Sequence, residues 1–300
     1  MSQKNSVERK RGNRLGFWLF QAAVIIFGLR GAYGLLYFVG FHYLIFDRTA
    51  VAASMAYVRR RFPEHSPLRR RFDAYLLFVN QGKSLIDRYY AASGRGDIAI
   101  EIRGYDNVLN LLGAGNRGFI LLTAHVGNWQ VAMTALRKFG RTVHLMMRRE
   151  DNAAVKEALN IDSEGEMVKI LYTDDSLGGV VEAMKAIDRG DLVSIMGDRT
   201  YEYSAMEASF LGEKVRFPYG AFSLASAAQC PVVVLLSAKA GLKKYITDVS
   251  HVIQPPAGAR RNKETAIKAA VQEFAGILEE YVREYPYQWF VFRDVWASNV

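Results

Sequence analysis

Cysteine is almost absent from this chain. One residue in 300, Cys230, excludes an intramolecular disulfide framework and a cysteine-rich zinc site. No internal repeat or low-complexity tract interrupts the sequence. Charge is missing from Leu15 to Phe46 except for Arg30. No clean small-residue cleavage site follows Leu29, and apolar sequence simply resumes, which argues against a cleaved signal peptide.

What is present is half apolar, enough for one sizeable core. The net charge of +9 is distributed unevenly. Residues 1–73 hold 13 Lys/Arg against 4 Asp/Glu, whereas the remainder holds 26 of each. The excess lies in Lys4, Arg9, Lys10, Arg11 and Arg14, then in Arg59-Arg60-Arg61 and Arg69-Arg70-Arg71. A basic patch alone is compatible with nucleic acid. Two patches bracketing an apolar segment fit an anionic membrane surface better, because each surface Lys or Arg adds about 1 kcal/mol there. No nucleic acid is therefore expected as a partner. Leu15–Leu29 amounts to about 22 Å of helix, short of the ~30 Å hydrocarbon core. Two arrangements are open: one tilted spanning helix with Arg30 snorkelling, or two shorter interfacial helices broken near Gly28, Gly31 and Gly34. Either is an uncleaved anchor, with its N-terminus on the cytoplasmic side by the positive-inside rule.

Residues 1–46 thus read as a basic N-terminus and membrane anchor, and residues 47–300 as an α/β domain with a helical lead-in over 47–115. In the lead-in, helices are predicted at Ala50–Arg61 and Leu68–Tyr90, punctuated by Pro63 and Pro67. From Gly118 the chain alternates. Strand-like runs at 118–124, 142–147, 168–172, 192–196 and 231–237 are separated by helical patterns. The clearest are Ser176–Ile187, capped by Ser176, and a last helix over about 264–284. This spacing predicts a mainly parallel central sheet covered by helices. Ligands in such sheets bind outside the carboxyl ends of the strands. His125, Arg148 and Asp198 each follow a strand-like run, so they are expected on that rim.

Of the five histidines, His42 lies in the apolar segment, His65 between two prolines and His144 inside a strand pattern. Only His125 combines a strand end, a following glycine and a helix start. Asn128 can cap that helix, leaving unpaired N–H groups and a positive dipole end for an oxyanion or a phosphate. Asp198, in Met196-Gly197-Asp198-Arg199, reads either as an ordinary capping aspartate or as the acid that orients the His125 imidazole. Arg148, Arg149 and Arg199 are candidates to hold phosphates of a lipid headgroup or a phosphopantetheine carrier, or are merely surface cations. Asp174-Asp175 is most economically an acidic pair at a helix start.

The run Ile120-Leu-Leu-Thr-Ala-His-Val-Gly-Asn-Trp-Gln130 resembles the signature of the late acyltransferases of lipid A biosynthesis. These belong to the lysophospholipid acyltransferase superfamily, defined by a histidine, four residues, then an acid. Further similarities run in order through Met147-Arg-Arg-Glu-Asp-Asn152, Asp198, Phe210-Leu-Gly212, Phe217-Pro-Tyr-Gly220 and Tyr285-Pro-Tyr-Gln-Trp-Phe-Val-Phe-Arg293. The resemblance implies an enzyme of the bacterial inner membrane with its active domain facing the cytoplasm. It would move a fatty acyl chain from acyl carrier protein or coenzyme A, as a thioester co-substrate, to a membrane lipid such as a glycolipid. No metal or resident cofactor is implied. His125 would be the general base, backbone N–H groups near Gly127–Trp129 the oxyanion donors, and Asn128 and Trp129 would stand at the substrate. The chain departs from the pattern at Gln130, which occupies the position of the acid. A neutral amide accepts a hydrogen bond from the ring but adds no charge. Two readings follow: Gln130 orients the ring while Asp198 supplies the charge, or the protein is a catalytically weakened lipid binder.

Overall fold

The computed structural model describes residues 14–94, 96–113, 115–147, 167–172, 178–200, 205–254 and 262–296. Arg148, Arg149, Asp174, Asp175 and Ser176 lie outside them. The chain begins with three helices, α1 (Arg14–Phe46), α2 (Arg48–Arg61) and α3 (Pro67–Ala92). Asp47 caps α2 by accepting from the Ala50 N–H at 2.9 Å. Ser66 caps α3 with Pro67 at its first position, where a missing N–H costs nothing. α1 is two helical stretches joined at a kink at Gly28, whose backbone (φ 65°, ψ −168°) leaves the helical region in a conformation glycine adopts freely.

The remainder runs β1 (Ala99–Arg103), α4 (Tyr105–Gly113), β2 (Ile120–Thr123), α5 (Trp129–Leu136), β3 (Val143–Met147), β4 (Val168–Tyr172) and α6 (Gly178–Asp188). It continues through β5 (Leu192–Met196), β6 (Ala205–Phe210), β7 (Glu213–Pro218), α7 (Gly220–Ala228), β8 (Val232–Gly241), β9 (Lys244–Asp248), β10 (Val252–Ile253) and α8 (Lys263–Glu284). The central sheet has the order β1-β9-β8-β2-β5-β3-β4, with β10 beside β8. Its pairings are parallel except β8 with β9 and β8 with β10. The expected mainly parallel sheet is therefore present. The lead-in is not wholly helical, because β1 lies within it as an edge strand whose two faces are at most half-buried.

Alternation along the central strands divides the core. Ile120, Leu122, Val232 and Val234 face one apolar layer with Phe274 and Leu278 of α8, and Leu121, Val233 and Leu235 face the other with Ala132 and Leu136 of α5. A separate hairpin, β6–β7, turns at Leu211-Gly212, both with positive φ. The hairpin packs on α8, where Glu279 accepts from the Leu211 N–H at 2.6 Å.

Candidate active site

The parallel register builds the site. β2 and β5 are neighbours with Thr123 opposite Met196, and the Gly197 N–H donates to Thr123 O at 2.8 Å. Two residues beyond each strand, at the carboxyl edge, the chain places His125 and Asp198 side by side. His125 Nδ1 lies 2.7 Å from Asp198 Oδ1, and the His125 backbone N–H donates to Asp198 Oδ2 at 2.9 Å. The Asp198 side chain is fully buried while that of His125 keeps 23% of its surface exposed. Burial works to raise the Asp198 pKa. The facing His125 ring, its hydrogen bonds and the neighbouring Arg199 outweigh that and hold the carboxyl well below the usual carboxylate range. A depressed carboxyl of this kind contributes stability above its unfolded pKa of about 3.9 and loses it only as the pH falls further. At neutral pH it is an acceptor only, so His125 Nδ1–H donates to it, and among the described residues Nε2 is the ring nitrogen without a hydrogen-bond partner.

A third donor was not legible in the sequence. Trp289 Nε1–H donates to Asp198 Oδ2 at 3.0 Å. Its indole is 1% exposed, packed edge-on against Tyr57 and Phe210. The segment carrying it is stitched to the histidine loop: Phe290 N–H donates to His125 O and Gly127 N–H to Gln288 O, both at 2.8 Å. The only sequence signal was the Tyr285–Arg293 run, which gave no role to its tryptophan.

Asn128 caps α5, its Oδ1 accepting from the Val131 N–H at 3.2 Å, while its Nδ2 donates to Ser84 O at 2.9 Å. Ser84 Oγ–H in turn donates to Gly127 O at 2.7 Å, so α3 grips the loop from the other side. Gln288 takes the Gly127 N–H and Asn128 Oδ1 the Val131 N–H, so among the described residues the N–H groups of Asn128, Trp129 and Gln130 are those the helix start leaves for a ligand. Gly127 itself cannot be replaced cheaply. Its φ is +49°, and a Cβ would stand 1.9 Å from the Ser237 carbonyl oxygen. Gly127→Ala is expected to cost at least about 3 kcal/mol of stability, read as a lowered midpoint in denaturant unfolding of the detergent-solubilised protein.

Gln130 is engaged elsewhere: its Oε1 accepts from Arg88 Nη1 at 3.1 Å. Among the described residues, the hydrogen bonds at the His125 ring come from Asp198 and not from Gln130. A carboxylate at 130 would pair with Arg88, a contact worth about 1 kcal/mol or less. Gln130→Glu is accordingly expected to change transfer rates by less than about fivefold, measured as kcat on a thioester donor. Arg199 donates through Nη2 to Phe290 O at 2.9 Å, which turns part of its guanidinium toward the C-terminal segment. Two other histidines also face carboxylates. His144 Nε2 is 2.9 Å from Asp191 within the core, and His65 Nδ1 is 2.7 Å from Asp73 at the α2–α3 turn. Neither stands at a strand's carboxyl edge before a capped helix.

Compared with known families, residues 89–298 match the family model described as bacterial lipid A biosynthesis acyltransferase. No match was found among the curated proteins compared with it.

Proposed function

The chain belongs to the bacterial lipid A biosynthesis acyltransferases, and from that premise we propose that it carries a fatty acyl chain from an acyl thioester to a hydroxyl of a membrane glycolipid, with His125 as general base. The single observation that carries this reading is the 2.7 Å contact of His125 Nδ1 with the buried, ionised Asp198. It supplies the charge that Gln130 lacks.

The acceptor O–H would give its proton to His125 Nε2 as its oxygen attacks the thioester carbonyl carbon. Asp198 stabilises the imidazolium that forms and holds its tautomer. The carbonyl oxygen becomes an oxyanion, for which the Asn128 and Trp129 N–H groups at the α5 start are the candidate donors. Collapse expels the thiolate of acyl carrier protein or coenzyme A, which takes the proton back from Nε2. No covalent acyl-enzyme is needed. Arg199 completes the polar rim, and Arg148 and Arg149 are proposed with it as phosphate contacts. The site is proposed to work at the inner membrane, on its cytoplasmic side, with α1 as the anchor. Among the described residues one helix, Trp18–Phe46, is long and apolar enough by composition to cross a bilayer.

The test is to incubate detergent-purified protein with acyl-carrier protein or acyl-CoA and a panel of glycolipid acceptors, and to weigh the products by mass spectrometry. An acylated lipid with release of one thiol per acyl group is expected. Absence of any acylated lipid with both donors would overturn the reading.

A further inference from the structure

α1 is apolar on all sides, which is ordinary for a helix buried within a protein or inside lipid. Here the two environments divide it lengthwise. One face packs along α3. Val24, Leu29, Ala32, Tyr33 and Leu36 are buried with Ile86 and Tyr90. Further along, the contact is close enough that a Cβ on Gly40 would meet Val79 Cγ2 at 2.9 Å, and one on Gly82 would meet Leu36 Cδ2 at 2.4 Å. Tyr75 O–H donates to Tyr37 O at 3.1 Å, and the Tyr43 ring packs on Phe78. From Val24 to Tyr43 this seam is about 28 Å of helix.

The middle of α1 is also fastened to the catalytic sheet. Tyr33 O–H donates to Asp87 Oδ1, and Asp87 Oδ2 accepts from Lys239 Nζ at 2.6 Å and from Tyr245 O–H at 2.5 Å. Asp87 is fully buried, Lys239 belongs to β8 and Tyr245 to β9. The opposite face of α1 is bare and apolar, with Ile26, Phe27, Phe38, Phe41 and Phe46 each more than half exposed.

These facts do not fit a crossing helix. A bilayer around residues 24–43 would have to take α3 with it, together with Lys83, Asp87 and Arg88. Each charge costs about 3 kcal/mol at the bilayer centre even on the lowest scale. The uncharged apolar run ahead of Val24, Leu15 to Ala23, is nine residues, about 14 Å as helix, half of the ~30 Å hydrocarbon core. We propose that α1 does not span the membrane but lies in the plane of one leaflet, its outer face in the acyl region and its inner face on α3, with both ends on the side of the catalytic domain. The occupant of the bare face is thus an anionic lipid leaflet. Leu68 and Phe72, exposed at the α3 start beside Arg69 and Arg71, extend the seat with the basic residues that such a leaflet attracts. The inference rests on the reading of the protein as a membrane-attached acyltransferase and gives that reading a geometry. α3 touches the leaflet helix on one side and, through Ser84 and Arg88, the His125 loop on the other. A lipid acceptor therefore reaches the site across about one helix diameter, ~10 Å, without leaving its leaflet.

The experiment is cysteine labelling with a membrane-impermeant maleimide in spheroplasts and in inverted inner-membrane vesicles. Two full-length variants are compared, Ser6→Cys ahead of α1 and Ala269→Cys on the exposed face of α8. Native Cys230 is silent, because burial pushes its thiol up to about 11. Labelling of both positions in inverted vesicles and of neither in spheroplasts is expected. Labelling of Ser6→Cys in spheroplasts, with Ala269→Cys labelled in inverted vesicles, would mean a crossing helix and overturn the in-plane seat alone. Recovery of the protein outside the membrane fraction would overturn the seat and the membrane-attached reading together.

Discussion

Alanine in place of His125 is expected to lower kcat for acyl transfer by about 10³–10⁴-fold, the range a positioned general base contributes. The imidazole is partly exposed at the sheet edge, so its removal opens no cavity in either apolar layer. The loop that carries it is held by backbone bonds from Phe290 and to Gln288, which do not involve the ring. The variant should keep the KM for the thioester, while its unfolding midpoint falls modestly because the buried Asp198 carboxylate loses its ring partner. A variant that transfers acyl groups as well as the parent would remove His125 from the chemistry. Steady-state release of thiol, measured beside thermal unfolding, separates these results.

Asp198→Asn is expected to lower kcat by about 10³-fold, and here the geometry explains why a nearly isosteric change is so costly. Asp198 faces donors only: the ring Nδ1–H on one oxygen, the His125 backbone N–H and the Trp289 Nε1–H on the other. An amide must turn its NH₂ toward one set. If it faces the ring, Nδ1 becomes an acceptor, the proton moves to Nε2, and the base is lost; the equivalent change in the chymotrypsin triad costs about 10⁴. If it faces the other side, two buried donors meet an NH₂, at a cost of about 1–3 kcal/mol for each group left unpaired. Either orientation also removes the charge that balances the imidazolium. The prediction is checked by kcat together with the unfolding midpoint: activity should fall far more than the modest loss of stability explains.

Much of the sheet was legible because its strands are buried on both faces and read as short apolar runs. Ile120–Thr123 falls within the expected 118–124, and Leu192–Met196 coincides with the expected segment. The elements that escaped are those where half-exposure dilutes the pattern. β1 alternates Ile100 and Ile102 with Glu101 and Arg103 on an edge, and β9 carries Lys244 and Asp248 at its ends. The hairpin β6–β7 was hidden by its turn, since leucine at φ 51° is not a residue that announces a tight reversal. The site was half legible. His125, its glycine and the Asn128 cap are local, and their meaning lies within six residues of sequence. The Asp198 contact depends on which strands are neighbours, and the Trp289 contact on how the last segment returns to the sheet. No spacing rule reports either. Gln130 was conspicuous because local pattern placed it where a carboxylate belongs, whereas its side chain goes to Arg88 on a helix 42 residues earlier.

The return of the last segment has a bearing on when the protein becomes competent during its synthesis. His125 and Asp198 are 73 residues apart, and the indole that completes the carboxylate's set of donors comes 91 residues later still. A nascent chain that has formed every strand and α8 still has no third donor on Asp198 and no Gln288 or Phe290 to hold the histidine loop. The aspartate pocket closes only when residues 286–291 emerge. Until then an unfinished chain carries the whole His125–Gln130 run without the finished site.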